Sequence, residues 1–297
     1  MLEKIQDYIQ SNSLFSFNHK IIVAISGGSD SVCLAHTLLS LKYSIVFAHC
    51  NFMLRGEESY KDEKFVEELA YKWNVPFYLK RFDTQTYSTE NKISIEMAAR
   101  ELRYSWFADL KKEIGAHYIA VAHNKNDSIE TFLLNLIRGT GINGLTGIKP
   151  MVKDIVRPLL FADKTMILEY CNDNGLTFCT DSTNAETKYT RNKIRNVLIP
   201  QMQEINPSII QTLWETIDKM NDYKDIKDKF LEELLPTLVH IKDDRIYIDI
   251  KKTKETISSQ TVLFELLQPY NFNSSQVVQI LSNSINESGK QFLSQTH

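Results

Sequence analysis

Apolar residues along the first two-thirds of the chain fall into two alternating periods. Ile21 to Ile25 is a continuous apolar run, β-branched apart from Ala24. That is the pattern of a strand covered on both faces, as in a parallel sheet. Val32 to Leu41 follows at helical spacing. Ser44–His49, Pro76–Phe82 and His117–Ala122 are further strand-like runs, with Glu57–Asn74 and Ser94–Glu113 reading as the helices between them. Leu2–Gln10 reads as an amphipathic helix leading in. This alternation predicts a doubly wound α/β domain with a mostly parallel sheet and right-handed crossovers. A helix closes near Leu133–Arg138, and Lys164–Asn174 reads as another, stopped by Gly175. From Pro200 the pattern is helical to about Leu235, with Trp214 and Met220 on an apolar stripe that reads as core. A short alternating strand at Arg245–Ile250, helices near Glu255–Leu267 and Ser274–Ser282, and a strand beginning in Gly289–Ser294 complete the chain. The expected division is a catalytic domain over 1–205 and a smaller, mainly helical domain over 206–297.

Composition narrows the class. Hydrophobic residues make up 43% and charged residues 24% of 297, as in ordinary soluble globular proteins. No apolar stretch approaches bilayer length, and Met1-Leu2-Glu3-Lys4 carries no signal pattern. Cys33, Cys50, Cys171 and Cys179 contain no C-x-x-C pair and read as reduced thiols. A cytoplasmic protein with no membrane partner is expected. The net charge of −3 gives no global nucleic-acid signal, so any RNA binding must come from local patches.

The chemistry begins where the first strand ends, at Ser26-Gly27-Gly28-Ser29-Asp30-Ser31. Adjacent glycines let the backbone turn sharply and bring bare N–H groups to an anion, and the following helix start adds its partial positive charge. Ser26, Ser29 and Ser31 add hydroxyls. Asp30 repels a phosphate unless a divalent cation lies between them. The order is neither G-x-x-x-x-G-K-[ST] nor G-x-G-x-x-G. It is S-G-G-x-D-S, the loop of the ATP pyrophosphatases, which cleave ATP between the α- and β-phosphates. At about 7% usage per position, five fixed residues recur by chance in roughly one chain of this length in two thousand.

Other strand ends carry polar groups to the same edge, where open parallel sheets bind ligands. The second strand runs into His49-Cys50-Asn51-Phe52-Met53-Leu54-Arg55, which puts His49, Asn51 and Arg55 near the first loop. The fourth ends in His123-Asn124-Lys125-Asn126-Asp127-Ser128-Ile129-Glu130. Asp127 and Glu130 share a helix face, and with Asp30 they could hold a hard cation; alternatively they are helix N-terminal carboxylates favoured by the dipole. Gly139 to Gly147 is a glycine-rich loop, read as a mobile cover or a plain connection. Lys188 to Asn196 interleaves Arg191, Lys193 and Arg195 with Asn192, Asn196 and Tyr189, as an RNA contact or a solvated basic face.

Together these motifs resemble one family, the tRNA-isoleucine lysidine synthetases, whose fold is the Rossmann-like N-type ATP-pyrophosphatase domain. The resemblance covers Ser26–Ser31, His49–Arg55, Glu96–Tyr104, His123–Gly144, Phe161–Tyr170 and Asp181–Arg195. It departs where family members often have a second histidine, here Phe52, and a double Asp, here Asn126-Asp127. Longer bacterial members carry a further C-terminal domain that grips the acceptor arm. The resemblance implies that ATP and Mg²⁺ adenylate the C2 oxygen of the wobble cytidine of isoleucine tRNA with a CAU anticodon, and that free L-lysine then displaces AMP. It implies ATP contacts at Ala24, Ser26, Gly27, Gly28, Ser29, Asp30, Ser31, His49, Asn51 and Gly139. Asp30 and Asp127 suit the metal, and Glu130 suits a further ligand or the acceptor of the lysine ammonium. Arg103 and His123 suit the α-phosphate or the adenylated base, and one carboxylate or His123 is the base for lysine. Arg138, Asp181, Asn184, Arg191, Asn192 and Arg195 are the implied tRNA contacts, and a homodimer is compatible with this reading. The runner-up is an RNA thiolating enzyme on the same loop, which the scattered cysteines disfavour.

Overall fold

The computed structural model describes residues 1–179, 190–243, 245–283, 291–294 and 296. Asp181, Asn184, Lys188 and Tyr189, together with Gly289-Lys290, lie outside them.

Six strands form one sheet: β1 (Lys20–Ala24), β2 (Ser44–Asn51), β3 (Phe77–Arg81), β4 (Tyr118–Ala120), β5 (Met151–Val152) and β6 (Ile155–Val156). Their spatial order is β3-β2-β1-β4-β6-β5. Only the β5–β6 pair is antiparallel. The helices are α1 (Leu2–Ser11), α2 (Ser29–Ser40), α3 (Glu57–Lys72), α4 (Thr84–Asn91), α5 (Ile95–Glu113), α6 (Lys125–Ile137) and α7 (Lys164–Asp173). The sheet is covered on both faces, as the unbroken apolar runs require. Ile21, Val23, Ile45 and Phe47 point into one core with α2, α3 and α7 residues. Ile22, Val46 and Ala48 point into the other, with Phe107 and Leu110 of α5. The strand order reverses direction between β1 and β4, which opens a crevice at their carboxyl ends.

Four differences from the sequence reading have local causes. Helix α4 has no apolar periodicity to announce it; it is started by Asp83, whose carboxylate accepts from Thr86 N at 3.0 Å, and ended by left-handed Lys92. The long helical pattern after Pro200 is two helices, α9 (Ile199–Ile205) and α10 (Ile209–Leu238), broken at Asn206-Pro207-Ser208 and preceded by α8 (Thr190–Lys193) and a π-helical turn over Ile194–Leu198. The expected Glu255–Leu267 helix is also two, α11 (Ile250–Glu255) and α12 (Ser259–Leu267), parted where Ser258 takes φ +56°. Residues 291–294 form no strand.

The chain divides into two compact units, Met1–Met220 and Asn221–His297. The first continues past residue 205 because Leu213 and Ile217 of α10 pack with Ile129, Phe132 and Leu133 of α6. The second contains the end of α10, a hairpin of β7 (Val239–Lys242) and β8 (Arg245–Ile248), then α11, α12 and α13 (Ser274–Asn283). Leu231, Leu238 and Val262 form its buried centre. Among the described residues no helix is long and apolar enough to cross a membrane.

Candidate active site

The S-G-G-x-D-S loop joins β1 to α2 as the pattern requires. Gly27 takes φ +94°, and a Cβ there would meet Val66, Phe65 and Cys179 at 3.3–3.4 Å. Gly28 is the extended residue before α2, with only Ser26 Oγ near a hypothetical Cβ, at 3.6 Å. The two glycines therefore do different jobs. Gly27 makes the turn; Gly28 leaves its open side to a ligand. Gly27→Ala is expected to lower stability by about 1–3 kcal/mol from positive-φ strain and crowding. Gly28→Ala should fold normally and bind ATP weakly. Thermal melts and ATP titration of both variants check this, and equal stability losses would contradict it. Ser31 Oγ donates to Gly28 O at 2.9 Å and accepts from Ser26 N at 3.2 Å, bracing the loop from inside.

Three cavities meet at Ser26. The first, about 540 Å³, is lined by His49, Asn51, Phe52, Arg55 and Arg103 among others. The second, about 480 Å³, is lined by Ala24, Asp30, Ser31, Arg103, His123 and Asp127. The third, about 430 Å³, lies on the other side of the loop between Gly28, Ser29, Asp30, Arg55, Asp62 and Lys164. Nearly all the expected nucleotide and catalytic residues thus border one connected crevice. Gly139 does not border it. It ends α6 in a left-handed turn (φ +74°), and α6 begins at the crevice, so Gly139 and exposed Arg138 lie roughly 20 Å away along the helix. The Gly139–Gly147 loop is also less free than its composition implies. Asn135 Nδ2 donates to Gly144 O at 2.8 Å, Ser128 Oγ accepts from Ile148 N at 3.0 Å, and a Cβ on Gly147 (φ +63°) would run into Ser128 Oγ.

His49 Nδ1 is 2.8 Å from Ile25 O. A carbonyl only accepts, so Nδ1 carries the proton and Nε2 is an acceptor; burial holds the ring below the usual histidine range. Asn51 is turned inward. Its Nδ2 donates to Glu63 at 2.7 Å and its Oδ1 accepts from Met53 N at 2.9 Å, so it shapes the loop beside the cavity. Glu63 is also held by Arg81 at 2.5 and 3.0 Å, which with the Asn51 bond keeps its carboxyl below the usual range. Arg103 stacks over the Phe52 ring at 5.1 Å, which gives a use to the aromatic residue at that departure from the family pattern.

Asp127 caps a helix and lines the second cavity. It forms a reciprocal capping box with Asn124, 3.0 and 3.1 Å, at the start of α6, and it also faces the cavity. The second departure, Asn126, accepts from Lys164 N at 3.0 Å and ties the starts of α6 and α7 together. Lys164 was not visible as a site residue from the sequence. Its Nζ lies 2.7 Å from Asp30 Oδ1 and 2.8 Å from Ser29 Oγ. A lysine in the first turn of a helix opposes the dipole, and that local conflict is the signal that could have marked it. Burial pushes the Asp30 carboxyl up, against the pull of Lys164, and Asp127 adds to the rise.

Arg191 and Arg195 do not form a solvated basic face. Both turn inward onto Glu130, which is fully buried: Arg191 Nε at 2.9 Å, Arg195 Nε at 2.6 Å and Arg195 Nη2 at 2.9 Å. Glu130 thus offers no unengaged oxygen to an ammonium or a metal ion. Asn192 is half-buried beside them. Among the described residues no three His, Cys, Asp or Glu side chains gather as a metal-binding group. Asp30 and Asp127 are the two carboxylates on the shared cavity, and that donor set fits Mg²⁺, which takes one or two carboxylates and completes its shell with phosphate oxygens and water.

Arg157 is the one charge in the largely apolar stretch Ile155–Leu160. It is buried, donating from Nε to His123 Nδ1 at 3.2 Å and from Nη1 to Lys149 O at 2.9 Å. Burial, then Arg157, Arg191, Arg100 and Arg103, hold the His123 ring down to about 3.

The PP-loop domain family matches residues 1–202, and the TilS substrate binding domain matches residues 241–297. The tRNA(Ile)-lysidine synthase of Bacteroides thetaiotaomicron is 48% identical over 98% of this chain and 68% of its own length. That of Parabacteroides distasonis is 42% identical over 100% of this chain and 67% of its own length. The chain therefore spans about two-thirds of the length of these curated relatives. Among solved structures, the U34-tRNA thiolase NcsA of Methanococcus maripaludis superimposes with a TM-score of 0.60 at 14% identity, over 73% of this chain and 77% of that one, a likeness of fold. The profile of the catalytic half and the identity across the whole length agree, and the chain belongs to the tRNA(Ile)-lysidine synthase family.

Proposed function

We propose that this chain joins the amine of free L-lysine to C2 of the wobble cytidine of isoleucine tRNA with a CAU anticodon, through an ATP-derived adenylated base, releasing pyrophosphate and then AMP. The observation that carries this is the meeting of an anion-binding loop, two carboxylates, Arg103 and His123 around one crevice at the sheet's switch point. Cytosine C2 is a poor electrophile, so its oxygen must first become a leaving group. The loop N–H groups and the α2 N-terminus suit the phosphates. His49, with Nε2 as an acceptor, and Arg103 line the first cavity, which suits the rest of the nucleotide. Asp30 and Asp127 would hold Mg²⁺, which supplies charge neutralisation to the departing pyrophosphate. Lys164, on the opposite side of the loop from the second cavity, adds a positive charge to the same task once Asp30 is engaged elsewhere. Arg138 at the exposed end of α6, and the remaining edges of Arg191 and Arg195, 38% and 40% exposed, suit contacts to tRNA.

A sulfur-transfer reading of the same fold is not favoured. Cys33 and Cys171 are buried and share a hydrogen bond, and Cys50 and Cys179 line separate cavity walls. The test is pyrophosphate release with lysine and tRNA added singly and together. Release that needs tRNA, and AMP with a lysine-modified base that needs both, is expected. Turnover dependent on a sulfur donor and indifferent to lysine would overturn the reading.

A further inference from the structure

β4 and β6 are parallel, with Ala120 opposite Val156 and Val121 N donating to Val156 O at 3.0 Å. Beyond this register the chain brings His123, three residues past Ala120, beside Arg157, one residue past Val156, at the sheet's edge. Arg157 is anchored independently, its main-chain N–H donating to Pro150 O at 2.9 Å and its Nη1 to Lys149 O. Its Nε then meets His123 Nδ1 at 3.2 Å. A guanidinium has five N–H donors and no acceptor. The contact is a hydrogen bond only when Nδ1 presents a lone pair, and the ring proton is then on Nε2. The groups facing the ring are Arg100, Arg103 and Tyr104 from α5, Arg191 from α8, and Asp30 and Asp127 across the cavity. The guanidinium groups all oppose an imidazolium, which would also set an N–H against Arg157.

We propose that Arg157 is a positioning residue that fixes His123 as a neutral imidazole protonated on Nε2, so that His123 donates a hydrogen bond to an anionic oxygen of the adenylyl transfer and does not serve as the base for lysine. One ring nitrogen is covered by a donor and the other already carries a proton, so no lone pair is left to accept the lysine proton. The acceptor of that proton is then another group. This inference rests on the proposed reaction only for which oxygen receives the bond.

The test is the long-range ¹H–¹⁵N spectrum of the histidine ring nitrogens in the full chain at neutral pH, with His123 assigned by its loss in His123→Gln. A bare Nδ1 and a protonated Nε2 are expected. The opposite tautomer overturns the proposal. In Arg157→Met the tautomer should become mixed. Pyrophosphate release should fall about 10–100-fold in kcat, the range for loss of an orienting partner, with KM for ATP within about threefold, and Arg157→Lys should recover part of it. A folded Arg157→Met with an unchanged His123 tautomer reduces Arg157 to a structural residue. Should Arg157→Met not fold, His123→Gln decides. Glutamine offers an amide donor and no ring base, so it should keep far more activity than His123→Ala, and equal loss in the two is the contrary result. A parent chain with the expected tautomer and no tRNA-dependent pyrophosphate release would count against the proposed reaction and leave the tautomer standing.

Discussion

Asp30→Asn is expected to fold at least as stably as the parent and to lose pyrophosphate release by about 10³-fold, the scale of removing one preorganised electrostatic contact from a phosphoryl-transfer site. Both halves follow from its surroundings. Burial raises the Asp30 carboxyl above its ordinary range, more than Lys164 lowers it. The folded chain therefore takes up a proton there at a higher pH than the unfolded chain does. At neutral pH the ionised form counts against stability, and that cost disappears as pH falls through the folded-state value. An amide removes it at every pH. Lys164, 44% exposed, can be rehydrated when its partner is neutral. Activity depends on the same charge with the opposite sign, since only the carboxylate can hold a cation against a phosphate. A bound cation favours that charge, so the acid limb of the parent's activity should move to lower pH as Mg²⁺ is raised. Thermal melts and pyrophosphate release across pH test the two together. A folded Asp30→Asn with near-normal release would remove Asp30 from the metal site.

The sheet and its loop were legible because strand burial on both faces and a glycine turn leave marks in consecutive residues. Long-range pairings leave none. That Arg191 and Arg195 reach back about sixty residues to Glu130, or that Lys164 crosses to Asp30, depends on how α6, α7 and α8 pack. Asn51 reads as a ligand contact by position, yet the folded chain uses it to hold Glu63 and Met53. Even so, several unexpected contacts lie where the sequence breaks a local rule: Arg157 in an apolar run, Lys164 at the wrong end of a helix, Phe52 where the family often has histidine. Such conflicts concentrate at functional sites.

Glu130 gives the sharpest revision. From sequence, Glu130→Gln should form adenylated tRNA and transfer lysine slowly, because the carboxylate would greet the ammonium. In the folded chain Glu130 is buried beneath two guanidinium groups that take both of its oxygens. Its charge anchors the segment from Thr190 to α6, next to the Asp127 main-chain and side-chain oxygens that Arg191 also reaches at 3.1 and 3.5 Å. Removing the buried carboxylate leaves Arg191 and Arg195, 38% and 40% exposed, to be rehydrated in part, so the loss falls below that of a fully buried pair, at about 1–3 kcal/mol, which for a unit of this size is roughly 2–12 °C in Tm. Glu130→Ala should show that loss, and its double-mutant cycle with Arg195→Ala should return a coupling of about 2 kcal/mol or more. Glutamine keeps the shape but can accept at one end only and sets an amide N–H against a guanidinium. Glu130→Gln is therefore expected to slow adenylation and lysine transfer together, by displacing Arg191, Arg195 and the start of α6 that carries Asp127. The measurement is a single turnover with α-labelled ATP, following adenylated tRNA and lysine-modified product separately below the variant's melting range. Adenylated tRNA accumulating at the parent's rate while transfer stalls would mean that the arginines release Glu130 during turnover and that the carboxylate meets the lysine after all.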